Sequence, residues 1–514
     1  MRTVKVLVLG LLVMSLALLP AVAMAKKMTI VYGNSDKTVS YDPIGCNDIH
    51  GMEVIFNVFP CLFKFVPGST EVEPDLAESY TVSEGGKVYI FKLRQGLKFP
   101  DGTPFNAEVV KYSIERAFKI EANYSWMVTR FVEKVEVLSE YEVKFVLKSP
   151  ATFFPAVIAV AAYAPVNPNV YPMDATLDWP EEMAGLGPYK AVSFKRDEEV
   201  ILEANPDYWG EKPKNDRIVI RYFADPTTMR LAFEKGEVDI CYRTLGTPDI
   251  LDLRQSGKYI QYESPSPLIH FLDFYCAAPP FDNKTVRQGV GAAIDREQIA
   301  QLVFQGTVKP VYSMMAFNWW SYIPAFETAY GKANVVLAKE LLAKAGYNEG
   351  NKLKFELWYT PHILGPNEVD LATNLKSQWE ATGVMEVKVE AVEWAAFMQG
   401  MGEGAYQANL LGWIPDYIDV DGFLGALSDV DMMKSVNGTH FDSSEWAAMA
   451  AQAAAEVDQE KRKAIYQKIQ QAWAKEAPQV PLVQSAFFPF THKDIEGIEF
   501  TPAGMLLYNN IVKK

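Results

Sequence analysis

The side chains best suited to chemistry fall in one short stretch, Trp413-Ile414-Pro415-Asp416-Tyr417, directly after Gly412. A carboxylate flanked by two aromatic rings in a loop suits an ammonium group. The acid supplies the opposite charge, and the rings present an apolar and a π surface to a cation. The alternative for Asp416 is a loop-capping residue, and Trp413 reads equally as a core aromatic. Asp419 and Asp421 read as solvent-facing or turn residues, and the paired acids Glu181-Glu182 and Glu198-Glu199 as solvated surface. Enzyme signatures are missing: there is no G-x-S-x-G, no H-E-x-x-H and no G-x-x-x-x-G-K-[ST]. The histidines are His50, His270, His362, His440 and His492, with no pair at i, i+4 spacing on a helix, so neither a metal nor a cofactor is expected.

These residues must be positioned by alternating strands and helices. Lys87 to Arg94 places Tyr89, Phe91 and Leu93 on one face, and Glu142 to Lys148 does the same with Val143, Phe145 and Leu147. Both segments predict half-buried strands. Between them Asp101 to Pro104 forms a turn, and Asn106 caps a helix whose buried stripe is Val109, Val110, Ile114 and Phe118. Asp295 and Gln298 open another helix ending at Gly306, and Asn334 to Ala345 is stopped by Gly346. Ser444 to Val457 and Gln459 to Lys475 predict two long helices before Pro478. The class is mixed α/β, without tandem repeats.

The first 25 residues read as a secretory signal peptide rather than as part of the fold. Met1, Arg2 and Lys5 form a basic start, Val6 to Leu19 an apolar run broken by Pro20, and Ala23-Met24-Ala25 a small-x-small cleavage site. No cysteine follows that site, so lipid attachment there is not expected, and a soluble periplasmic protein is. Nearly five hundred remaining residues predict two or three domains. The net charge of −15 opposes nucleic-acid or anionic-membrane binding. Cys46, Cys61, Cys241 and Cys276 allow three pairings, of which Cys46–Cys61 with Cys241–Cys276 is the first expectation.

Five ordered segments carry a family likeness. They are Leu76 to Arg116; Gly185 to Tyr189 with Asn205 to Gly210; Phe233 to Ile240; Val286 to Arg296; and Gly412 to Phe423. With these the chain resembles the family 5 extracellular solute-binding proteins, which include dipeptide-, oligopeptide- and nickel-binding members. Gly102, Gly185, Gly187 and Gly236 within or near them read as turn formers. The resemblance implies a two-lobed periplasmic-binding-protein fold of type II, with an extra inserted domain and a hinged cleft. Domain I would comprise residues 26–58, 184–275 and 485–514, domain II residues 59–183 and domain III residues 276–484. Hinges are expected near Phe271 to Cys276 and near Pro481 to Phe488.

The same likeness assigns site roles. Asp416 corresponds to the acid that pairs with a peptide's amino terminus, while Trp394 and Trp413 match pocket-lining aromatics and Tyr417 shapes the pocket. Trp394 reads equally as a core residue, and Trp319 and Trp320 are weaker, exposed-looking candidates. In the stretch Pro361 to Asn367, His362 or a neighbour stands where dipeptide binders carry a carboxylate-gripping Arg. A neutral imidazole lacks the bidentate geometry of a guanidinium, which argues against a strict dipeptide receptor. The implied function is non-enzymatic capture of a peptide for an ABC importer, by a monomer whose partners are its small ligand and a membrane permease. Rival readings are an oligosaccharide, metal-chelate or amine receptor, a secreted hydrolase, and a sensor or chaperone.

Overall fold

The computed structural model describes residues 27–179, 183, 185–361 and 367–514. The signal peptide over residues 1–25 and the site candidate His362 lie outside the described residues.

Two sheets organise two lobes. In the first lobe the strand Thr29–Asn34 is central, running parallel to Arg217–Tyr222 on one side and to Ile240–Cys241 on the other. Glu199–Ala204 and Tyr189–Lys195 extend the sheet antiparallel beyond one neighbour; Phe490–Thr491 and Ile260–Gln261 extend it beyond the other. Segments far apart in the sequence are therefore knitted into one layer, with Ile30, Tyr32, Ile218, Ile220 and Tyr189 buried beneath it. The second lobe has six strands, in the order Val308–Pro310, Gln479–Phe487, Ser264–Phe274, Ala408–Trp413, Leu353–Tyr359 and Met385–Ala391.

The expected strands and caps form. Val88–Leu93 pairs antiparallel with Glu142–Leu147 in a four-stranded sheet completed by Ala77–Ser83 and Val132–Ser139. Helix Ala107–Ile120 packs on this sheet, and Asn106 accepts from the Val109 amide at its N-terminus. Asp295 caps as expected, but its helix is short, Arg296–Gln298, and continues as a π-helical turn over Ile299–Val303. The core of this four-stranded unit is continuous with that of the second lobe.

One paired ribbon joins the lobes. Ile260–Gln261 lies in the first sheet and Ser264–Phe274 in the second, while Gln479–Phe487 lies in the second and Phe490–Thr491 in the first. The two crossings travel side by side: Gln261 opposes Phe490, and Ser264 opposes Phe487. The Tyr262 amide donates to the Pro489 carbonyl at 2.9 Å between those two pairs. The expected hinge at Phe271 to Cys276 is thereby corrected. Phe271 and Phe274 pair on both sides within the second sheet or at its end, where ladder hydrogen bonds hold them. The first crossing falls about ten residues earlier, where ladder pairing lapses.

Two further expectations change. All four cysteines are free thiols. The Cys61 thiol points at the Val160 carbonyl at 3.3 Å, and Cys46 sits beside Asp48 instead. Titration of the unfolded, unreduced protein with a thiol reagent is accordingly expected to count four thiols; two or none would restore a disulfide. Gly102 and Gly236 do occupy left-handed backbone, but Gly185 and Gly187 are required for space. A Cβ at Gly187 would stand 2.5 Å from the Val58 carbonyl oxygen, and one at Gly185 2.1 Å. Gly187→Ala is expected to destabilise the first lobe by roughly 1–3 kcal/mol, measured as a lower denaturation midpoint.

Candidate functional site

Strand Ala408–Trp413 ends at the surface of the second lobe, and the chain turns through Ile414 to Val420 before helix Asp421–Ser428. This turn meets the four-stranded unit. The Tyr124 hydroxyl donates to the Asp416 carbonyl at 3.3 Å, and the Tyr417 ring stacks on Phe153 with centroids 5.3 Å apart. Phe131 meets the Tyr417 ring edge-on at 5.4 Å. The loop is thus clamped by residues far away in the sequence, so the Asp416 backbone is fixed while its side chain stays exposed.

The Asp416 carboxylate forms no ion pair within 4.0 Å among the described residues. Surrounding protein nevertheless desolvates it, lifting its pKa to about 6, against a partial opposing pull from Arg130. A carboxylate that water reaches, yet that is costly to keep charged, gains from an incoming ammonium. Trp413 is half-buried, and its indole Nε1 donates to the Gly422 carbonyl at 2.8 Å, fixing the ring beside the loop.

Other expected site residues are placed differently. Tyr417 is corrected from pocket wall to packing residue: it is 4% exposed, its ring is covered by Phe153 and Phe131, and its hydroxyl donates to Asp421 at 2.7 Å. Trp394 begins helix Trp394–Glu403 and is 38% exposed. Its ring contact runs to Phe397, and from there to Tyr406 and Trp358, an aromatic row separate from the Asp416 turn. Trp319 is buried against Phe423, and Trp320 packs on Tyr466, so neither is an open platform.

Asp419 and Asp421 are likewise corrected from solvent-facing residues to buried ones. Arg462, on helix Gln459–Glu476, donates to both Asp419 oxygens, one of them at 3.0 Å. Asp421 accepts from the Tyr417 and Tyr466 hydroxyls at 2.7 and 2.9 Å, and its amide donates to Asp419 at 2.9 Å. Sequence reasoning missed Arg130, Tyr124 and Arg462 because each reaches the loop from another segment, with no local motif to mark it. Among the described residues no cluster of three or more His, Cys, Asp or Glu could hold a metal ion.

Two α/β lobes joined by one paired ribbon are the architecture of the periplasmic binding-protein class of folds. The model of the bacterial extracellular solute-binding proteins, family 5 middle, matches residues 71–433, and the chain belongs to that family. It is 28% identical to heme-binding protein A of Haemophilus influenzae, over 87% of this chain and 85% of that one. It is 27% identical to di/tripeptide-binding protein 1 of Pseudomonas aeruginosa, over 95% of each. Among solved structures, HbpA2 from Haemophilus parasuis superposes with a TM-score of 0.86 at 26% identity, covering 95% of this chain and all of that one.

Proposed function

We propose that this chain captures short peptides outside the inner membrane and delivers them, unaltered, to the permease of an ABC importer. The observation that carries this reading is the Asp416 carboxylate. It is exposed, held on a clamped loop, free of any ion pair among the described residues, and positioned beside Trp413. A peptide's amino terminus supplies the missing cation, and backbone and side chains fill the space between the lobes. The likeness to a di/tripeptide-binding protein over 95% of both chains supports this choice.

Closure follows from the ribbon at Gln261 to Ser264 and Phe487 to Phe490. Pivoting there moves two intact sheets, and a ligand touching both lobes favours the closed form by its extra contacts. On this reading the first boundary between domains I and III moves from residue 275 to residues 262–263. Release from the membrane after export takes removal of the leader. N-terminal sequencing of the secreted protein is expected to begin at Lys26, and a start inside the apolar run would refute that cleavage site.

Native mass spectrometry of gently purified protein tests the cargo directly. Di- or tripeptide masses that disappear on denaturation and refolding are expected. A metal chelate is the second reading, favoured by the likeness to a heme-binding protein. Recovery of a porphyrin mass, or a saturable Soret shift with hemin that peptides fail to displace, would replace peptide by chelate.

A further inference from the structure

Helix Trp126–Phe131, in the four-stranded unit, borders the Asp416 turn. Its buried side is Met127, Val128 and Phe131, and Phe131 meets the Tyr417 ring edge-on at 5.4 Å. Tyr124, just before the helix, donates to the Asp416 carbonyl and meets the Trp126 ring edge-on at 6.2 Å. Contacts at both ends therefore set this short helix against the turn. Its open side shows Trp126, 38% exposed, and Arg130, exposed and one turn later at i, i+4.

Arg130 forms no ion pair among the described residues, and its guanidinium carbon lies 5.7 Å from the Phe131 ring centroid. A cation in a last helical turn answers the helix dipole, but Lys148 already does so here, its Nζ donating to the Thr129 carbonyl at 2.6 Å. Asp416, likewise exposed and unpaired, lies within the field of the Arg130 charge, which opposes the rise in its pKa. Two opposite charges thus stand near each other without joining. Closing an exposed pair gains little once side-chain entropy and water are counted, so both groups remain available.

We propose that Arg130 is a specificity residue of the Asp416 site, selecting peptides whose first residue is acidic. The inference rests on the peptide reading given above. With the ammonium on Asp416, the first side chain branches from the carbon that carries the ammonium, so it stays close to the turn and its bordering helix. A carboxylate there meets the Arg130 guanidinium, whose paired N–H donors match its two oxygens. The Trp126 ring offers apolar cover to the methylene stem. A net charge of −15 otherwise repels an acidic side chain, so a local cation decides whether one is accepted.

The test is calorimetry at pH 7 on the mature full-length protein, with glutamyl-leucine, methionyl-leucine and leucyl-glutamate as probes. Arg130 is exposed, so Arg130→Gln is expected to fold like the unaltered protein. It should weaken glutamyl-leucine roughly fivefold, and the two other dipeptides by less than about twofold. Glutamyl-leucine unaffected by the substitution would overturn the proposal, and so would an equal loss for all three dipeptides. Methionyl-leucine binding to the unaltered protein where glutamyl-leucine does not would overturn it too, while leaving the peptide reading intact. If none of the three binds, the peptide reading itself falls and takes this inference with it.

Discussion

Asp416→Asn is expected to weaken binding of a dipeptide with a free amino terminus by roughly 30- to 150-fold, equivalent to about 2–3 kcal/mol. The substitution keeps shape and hydrogen-bonding capacity but removes the charge facing the ammonium. Calorimetry with the dipeptide and its N-acetylated form separates charge pairing from general disturbance. The acetylated ligand should bind weakly and almost equally to both proteins. Acidity gives the same test without mutation. With its pKa raised to about 6, Asp416 is mostly ionised at pH 7 and mostly protonated at pH 5. An ammonium prefers the ionised form, so affinity should be level above pH 7 and fall about tenfold between pH 7 and pH 5. In Asp416→Asn that slope should flatten. A variant within twofold of the unaltered protein, or an unchanged pH profile, would remove Asp416 from the binding site.

The elements that position this loop were legible where the signal was local. Alternation in Val88–Leu93 and Glu142–Leu147 reports burial of one face, and Asn106 marks its own helix start. Asp416 could be singled out because its aromatic neighbours adjoin it in the chain. What stayed illegible was set by distant partners. Asp419 and Asp421 look solvated until Arg462, 43 residues on from Asp419, and Tyr466 are seen to enclose them. Tyr417 looks available until Phe153 covers it. Gly185 and Gly187 look like turn residues because the approach of the Val58 carbonyl leaves no trace in sequence. The first hinge was misplaced for a related reason. Ser264 to Phe274 is one long strand pattern, and only its partner strands reveal which sheet each portion joins.

Arg462→Ala is expected to destabilise the second lobe by about 3–5 kcal/mol, the cost of leaving one partner of a buried ion pair uncompensated. Asp419 would be left in a site where its side chain is 11% exposed, with no other cation within 4.0 Å among the described residues. The loss also strips packing, because the guanidinium lies over Phe153, Trp320 and Tyr466 at 5.3 to 5.5 Å. Thermal unfolding should show a melting transition lowered by several degrees. Adding Asp419→Asn should recover part of the loss by removing the stranded charge, but not the part due to stacking. The consequence for binding is indirect and distinguishable. Arg462 anchors Asp419, Asp419 holds the Asp421 amide, and Asp421 holds the Tyr417 hydroxyl, next in the chain to Asp416. Releasing that chain should lower peptide affinity while leaving the pH midpoint near 6 detectable, since the carboxylate itself remains. An Arg462→Ala protein that melts with the unaltered one would show that the buried pair contributes nothing net. The clamp on the Asp416 loop would then rest on the Tyr124 hydrogen bond and the packing of Tyr417 against Phe153 and Phe131.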